Sequence, residues 1–131
     1  MMNGDRHSVL LIEDNPGDAR LIREMIAEDP EAPFELHCAE RLSHGLDFLA
    51  NKPAGLVLLD LSLPDSNKEN AVEHFMASNP GATCVVLTGN EDASIRDLAL
   101  RQGADGYLFK SNQNPRYMVE AIKNAIMRKM N

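Results

Sequence analysis

Hydrophobic positions along the chain fall into two alternating patterns. Short, nearly continuous apolar runs, SVLLIE (8–13), FELHCA (34–39), GLVLLDL (55–61), TCVVLTG (83–89) and GYLFK (106–110), read as strands. Between and after them, apolar residues recur at helical spacing: Ile22, Met25 and Ile26; Leu42, Leu46 and Leu49; Val72, Phe75 and Met76; Ile95, Leu98 and Ala99; Met118, Ile122, Ala125 and Ile126. Asn15 and Pro16 open the first helix as N-cap and first helical residue. Gly103 and Gly106 stand where a helix C-cap and a tight turn use glycine, and NPGA (79–82) turns the chain back toward the sheet.

Strict β-α alternation with short connections predicts an α/β fold, a doubly wound five-stranded parallel sheet flanked by five helices. The first, third and fourth runs scarcely alternate in polarity, as strands buried on both faces do not. In such sheets ligands bind beyond the carboxyl ends of the strands. Those ends carry Glu13 and Asp14, Asp60, Thr88 and Lys110. Taken singly each has an ordinary structural reading, but parallel topology makes them converge.

Convergence has an electrostatic consequence. Two carboxylates about 4 Å apart repel by about 4 kcal/mol at an effective dielectric near 20. Glu13 beside Asp14 and Asp60 adds a third charge, so the cluster must be protonated, held apart or neutralised by a cation. Magnesium suits it, since that ion takes one or two carboxylates, keeps waters and accepts phosphate oxygens. Zinc lacks its nitrogen and sulfur ligands here, and calcium lacks a loop of alternating oxygen donors. A carboxylate at such a site is also a nucleophile toward phosphorus, with Lys110 and the Thr88 hydroxyl placed for phosphoryl oxygens and Gly89 leaving room for the group.

Composition narrows the classes of function. The 131 residues suffice for one domain, and 44% hydrophobic with 25% charged residues argues against disorder and fibrous architecture. A formal net charge of −7 repels nucleic acid and anionic lipid, and the one basic cluster, Arg128 and Lys129, reads as cations at a helix C-terminus. No run approaches the roughly 20 apolar residues of a membrane span, and MMNGDRHS has no signal-like apolar region. Cys38 and Cys84 match no metal spacing and are expected as reduced core residues of a cytoplasmic protein. His7, His37, His44 and His74 sit at no predicted strand C-terminus and read as surface or packing residues. His37 and Cys38 are expected on opposite faces of their strand.

LLIEDNPGD, VLLDLSLPD, VVLTG and GADGYLFK, in this order and spacing, together resemble the receiver domain of bacterial two-component response regulators. The resemblance covers essentially the whole chain and implies strand order 2-1-3-4-5, with residues 1–131 as a single receiver without an output domain. It implies that Asp60 is the phosphoacceptor and that Glu13 and Asp14 hold Mg2+, with the Ser62 backbone carbonyl as a further ligand. Thr88 and Tyr107 correspond to the switch pair and Lys110 to the site lysine. Such a protein takes its phosphoryl group from a sensor histidine kinase or a phosphotransfer protein, catalyses its own phosphorylation and slow dephosphorylation without being a turnover enzyme, and signals by protein contact or phosphorelay. Direct nucleic-acid and membrane binding are not expected. Two positions depart from the family: Lys68 replaces a loop glycine, and Ser111 replaces the proline after the lysine, so no cis peptide is expected there.

Three rival readings have discriminating features. A flavodoxin-like electron carrier needs a Ser/Thr/Gly-rich phosphate loop and aromatics for the flavin, whereas this chain has EDNPGD and no tryptophan. An aspartyl phosphatase needs a general acid two residues after its nucleophile, where Ser62 stands. A degenerate receiver used only for docking would have lost part of the residue set.

Overall fold

Buried β-branched and leucine side chains on both faces of a strand are stable only if helices cover the sheet twice, and the computed structural model has that arrangement. It describes residues 7–28, 34–89, 93–111 and 114–130; the opening segment 1–6 and the side chain of Lys129 lie outside the described residues. The elements are β1 (His7–Ile12), α1 (Pro16–Ala27), β2 (Phe34–Ala39), α2 (Leu42–Asn51), β3 (Leu56–Asp60), α3 (Ala71–Ser78), β4 (Cys84–Thr88), α4 (Ala93–Arg101), β5 (Gly106–Phe109) and α5 (Pro115–Met130). All strands pair in parallel, in the order β2-β1-β3-β4-β5.

Strand alternation sorts the core into two layers. Val9, Leu11, Leu58, Leu87 and Leu108 pack with Ile22, Met25 and Ile26 of α1 and Met118, Ile122 and Ala125 of α5. Leu10, Ile12, Val57, Leu59 and Val86 pack with Leu42 of α2, Val72 and Phe75 of α3 and Ala99 of α4. Each such leucine or isoleucine contributes about 2–3 kcal/mol on leaving water. That apolar surplus offsets the polar cluster at the sheet's end.

Local signals set the helix ends. The Asn15 side chain accepts from the Asp18 backbone N–H at 3.0 Å, and Pro16 follows at the first position. Gly103 after α4 has φ of +115°, a conformation L side chains rarely adopt. Gly106 differs from the turn role expected of it: it begins β5 without a positive φ, and a Cβ there would meet open space. Gly45 of α2 is needed for another reason. A Cβ at this position would overlap Ile12 Cδ1, so the glycine lets α2 lie close on β1.

Cys84 is buried as expected, but Cys38 is exposed. β2 is an edge strand, and only Phe34 and Ala39 at its ends are buried. Cys38 meets α1, where Arg23 donates to Sγ at 3.0 Å, while His37 contacts the Phe48 ring of α2 at 5.0 Å. The two therefore face opposite sides, as alternation requires.

Candidate functional site

Parallel strands place their carboxyl ends side by side, and three of those ends are extended by one further ladder bond. Glu13 N–H donates to the Ala39 carbonyl at 2.9 Å, Leu61 N–H to Leu87 at 3.2 Å, and Lys110 N–H to Thr88 at 2.9 Å. The backbone carrying the polar residues is thus part of the rigid sheet.

Asp60 ends β3 and its side chain is fully buried. Its Oδ1 accepts from the Ser62 backbone N–H at 3.0 Å and lies 3.3 Å from Lys110 Nζ. Its Oδ2 is buried with no hydrogen-bond partner. Glu13 is buried beside it: Oε2 accepts from the Asn15 N–H at 3.2 Å, and Oε1 lies 2.6 Å from Lys110 Nζ. That approach is short but oblique, an ion pair with no well-angled hydrogen bond, so Oε1 also retains unused acceptor capacity. Carboxylate oxygens of Glu13, Asp14 and Asp60 all lie within 4.8 Å of one another. The sequence-predicted acids and lysine are brought together.

The electrostatics follow from burial. Desolvation and the close approach of the Asp60 carboxylate together push the Glu13 carboxyl up to about 7, against the pull of Lys110 and the Asn15 N–H. For Lys110, burial works against the charged form, but contact with Glu13 and the field of Asp60 and Glu13 outweigh it, and its pKa is raised. The ammonium is therefore held charged. Two buried oxygens without hydrogen bonds, in an all-oxygen donor set, fit a hard divalent cation such as Mg2+.

Thr88 is buried at the end of β4, and the register pairing Val86 with Tyr107 sets it diagonally from that tyrosine on the face covered by α4. Tyr107 is half-buried between the Phe109 ring, 5.5 Å away edge-on, and the Arg96 guanidinium, 5.1 Å above its face. A Cβ at Gly89 would meet nothing within 4 Å, consistent with open space beside Thr88. Ser62 is exposed at its side chain and contributes its backbone N–H to Asp60.

Three residues that sequence reasoning passed over belong to the site or its support. Asp18, in the first turn of α1, accepts a hydrogen bond from Lys110 Nζ at 3.2 Å. Its signal was an acid four residues after Asp14, which is equally what a helix N-terminus prefers. Asp65 accepts from the backbone N–H groups of Leu42 and Ser43 at 2.9 and 3.0 Å, capping α2, whose own N-cap residue Arg41 makes no side-chain bond. Gln102 donates to the Glu69 carbonyl at 2.8 Å and accepts from the Glu73 N–H at 3.3 Å, joining the end of α4 to the start of α3. The loop after Asp60 is thereby held from both sides. Lys68 sits in it, exposed, and no non-glycine among the described residues has a positive φ, so a lysine is accommodated without left-handed backbone. No cis peptide occurs among the described residues, as Ser111 predicts. No helix among them is long and apolar enough to cross a membrane.

Comparison with known proteins agrees with this geometry. Residues 9–123 match the response regulator receiver domain. The chain is 26% identical over 125 residues to the nitrate/nitrite response regulator protein NarL of Escherichia coli K12, covering 95% of this chain and 57% of NarL. It is 27% identical over 118 residues to the chemotaxis protein CheY of Halobacterium salinarum, covering 90% and 95%. The chain thus spans about half the length of several of its curated relatives, NarL included, and nearly all of CheY. A CheY-like receiver domain from Methanospirillum hungatei superposes with a TM-score of 0.82 at 24% identity, over 95% of this chain and 97% of that one. A parallel sheet ordered 2-1-3-4-5, an acidic cluster at the carboxyl ends of β1 and β3 and a lysine from the end of β5, matched across nearly the whole length, place this chain in the receiver domain family of two-component response regulators.

Proposed function

We propose that Asp60 accepts the phosphoryl group, with Lys110 and Thr88 as the residues that stabilise its transfer. The observation that carries this is Asp60 itself: a fully buried carboxylate whose Oδ1 faces a lysine at 3.3 Å while Oδ2 keeps its lone pairs unused. A buried acceptor left unsatisfied costs about 1–3 kcal/mol, which argues for a role beyond stability. One Asp60 oxygen forms the new P–O bond as the P–N bond of a donor phosphohistidine breaks; the electron pair stays on the imidazole nitrogen, which is protonated from solvent. Glu13, Asp14, Asp60 and the Ser62 carbonyl would hold Mg2+, which neutralises charge on the equatorial phosphoryl oxygens. Lys110 supplies a fixed positive charge to one such oxygen and the Thr88 hydroxyl a hydrogen bond to another. Hydrolysis of the acyl phosphate resets the protein, so its catalysis is confined to its own modification.

Thr88 drawn toward the phosphoryl group vacates space next to Tyr107, which then turns inward from its place beneath Arg96. The change biases the surface of α4, β5 and α5 between two states that a partner distinguishes. Residues 1–131 act in this reading as one receiver unit of the cytoplasm, between a histidine kinase or phosphotransfer protein and a protein target. The test is incubation with a small acyl phosphate, with and without Mg2+, followed by intact mass. One phosphoryl group gained only with Mg2+, and lost in Asp60→Asn, is expected; no gain in the wild-type chain under either condition would leave a docking module instead.

A further inference from the structure

Lys110 has three carboxylate neighbours, and Asp18 is the one it holds by a hydrogen bond. Its ammonium has three N–H donors, and three carboxylates surround it: Glu13 Oε1 at 2.6 Å, Asp18 Oδ2 at 3.2 Å and Asp60 Oδ1 at 3.3 Å. Of these, Asp18 is the one met at hydrogen-bonding angles, and it is reached across 92 residues of sequence, from α1. It is also the exposed one, with 42% of its side chain accessible against 0% for the other two. Its backbone N–H is held separately by the Asn15 cap, so its side chain is not needed to start the helix.

We infer that Asp18 is a positioning residue that holds Lys110 toward α1 in the unphosphorylated state and competes with the phosphoryl oxygen for it. The inference rests on Asp60 being the acceptor. A phosphoryl oxygen arriving at Asp60 draws on an ammonium whose well-angled hydrogen bond among these three contacts goes to Asp18. Turning Lys110 to the phosphoryl oxygen breaks that bond, and the solvent-reaching Asp18 loses least because water replaces the lysine. Glu13 has no water to turn to. Asp18 therefore slows phosphorylation by retaining Lys110.

The test uses the full chain, Mg2+ and a small acyl phosphate as donor, with phosphorylation rates read by intact mass. Asp18→Asn keeps the shape and removes the charge; its expected rate gain is about tenfold, roughly what giving up one charge-assisted hydrogen bond to Lys110 is worth. Asp18→Glu, which keeps the charge, should stay within about twofold of wild type. The gain must also depend on Lys110, so Asp18→Asn added to Lys110→Met should change nothing, a readout that a purely structural role or a general field effect would fail. An unchanged or slower Asp18→Asn, or an equal gain without Lys110, overturns the inference while leaving Asp60 as acceptor. A wild-type chain that gains no phosphoryl group overturns both.

Discussion

At the proposed site, Mg2+ binding should become about tenfold weaker between pH 8 and pH 6, because Glu13 would have to give up a proton to admit the ion. Burial beside Asp60 holds the Glu13 carboxyl at about 7 instead of 4.5. The apparent dissociation constant scales as one plus the ratio of protonated to ionised Glu13, so it rises about tenfold from pH 8 to pH 6, about 1.4 kcal/mol. The same shift governs stability without metal. A carboxyl whose folded pKa lies above its unfolded one keeps its proton longer in the native state, so stability falls as pH rises from about 4.5 to about 7, by on the order of 3 kcal/mol. Lys110 does not confuse the measurement: its raised pKa contributes fully below its ordinary value of 10.5, so it is constant across this window. Calorimetric Mg2+ titration in two buffers of different ionisation heat measures both affinity and protons released, expected near one at pH 6 and near zero at pH 8. Urea unfolding with and without saturating Mg2+ gives an independent value, since added stability tracks the dissociation constant. Equal affinity at both pH values, or a pH slope that survives Glu13→Gln, would refute the assignment of the proton to Glu13.

Other expectations follow from single contacts. Asp60→Asn should raise stability in Mg2+-free buffer by about 1–2 kcal/mol, read as a higher urea midpoint at pH 8, because it removes a buried carboxylate facing Glu13. Asp65→Ala should cost about 1 kcal/mol by uncapping α2, with Asp65→Asn milder, in thermal unfolding. Burial opposes the Asp65 charge, but the Ser43 and Leu42 N–H groups win and lower its pKa; its contribution is therefore present above pH 3.8 and lost as pH falls through the folded value. Gly45→Ala should cost about 1–3 kcal/mol of stability, read as a lower urea midpoint, since its methyl group overlaps Ile12 in a well-packed layer; an unchanged midpoint would show that α2 lifts off freely.

Periodicity determined the ten elements, because a strand buried on both faces and a helix with one apolar stripe leave different repeats in a chain, and their strict alternation determined the parallel pairing, whereas the sheet order 2-1-3-4-5 came from the family resemblance. It also singled out Glu13, Asp14, Asp60, Thr88 and Lys110, since in a parallel sheet the carboxyl end of a strand is a position in sequence as much as in space. Strand boundaries moved by a residue, leaving Glu13 and Lys110 just beyond β1 and β5. Other features depended on distance between segments that sequence order does not relate. The exposure of Cys38 followed from β2 lying at the sheet's edge. Asp18 and Asp65 each had an adequate local explanation, as a first-turn acid and a loop acid, and only folding brought one to Lys110 across 92 residues and the other to the start of α2 across 23. The raised pKa of Glu13 was decided in the same way, because how strongly a carboxylate holds a proton depends on the water it has lost and the charges it has met, and neither is written in its neighbours along the chain.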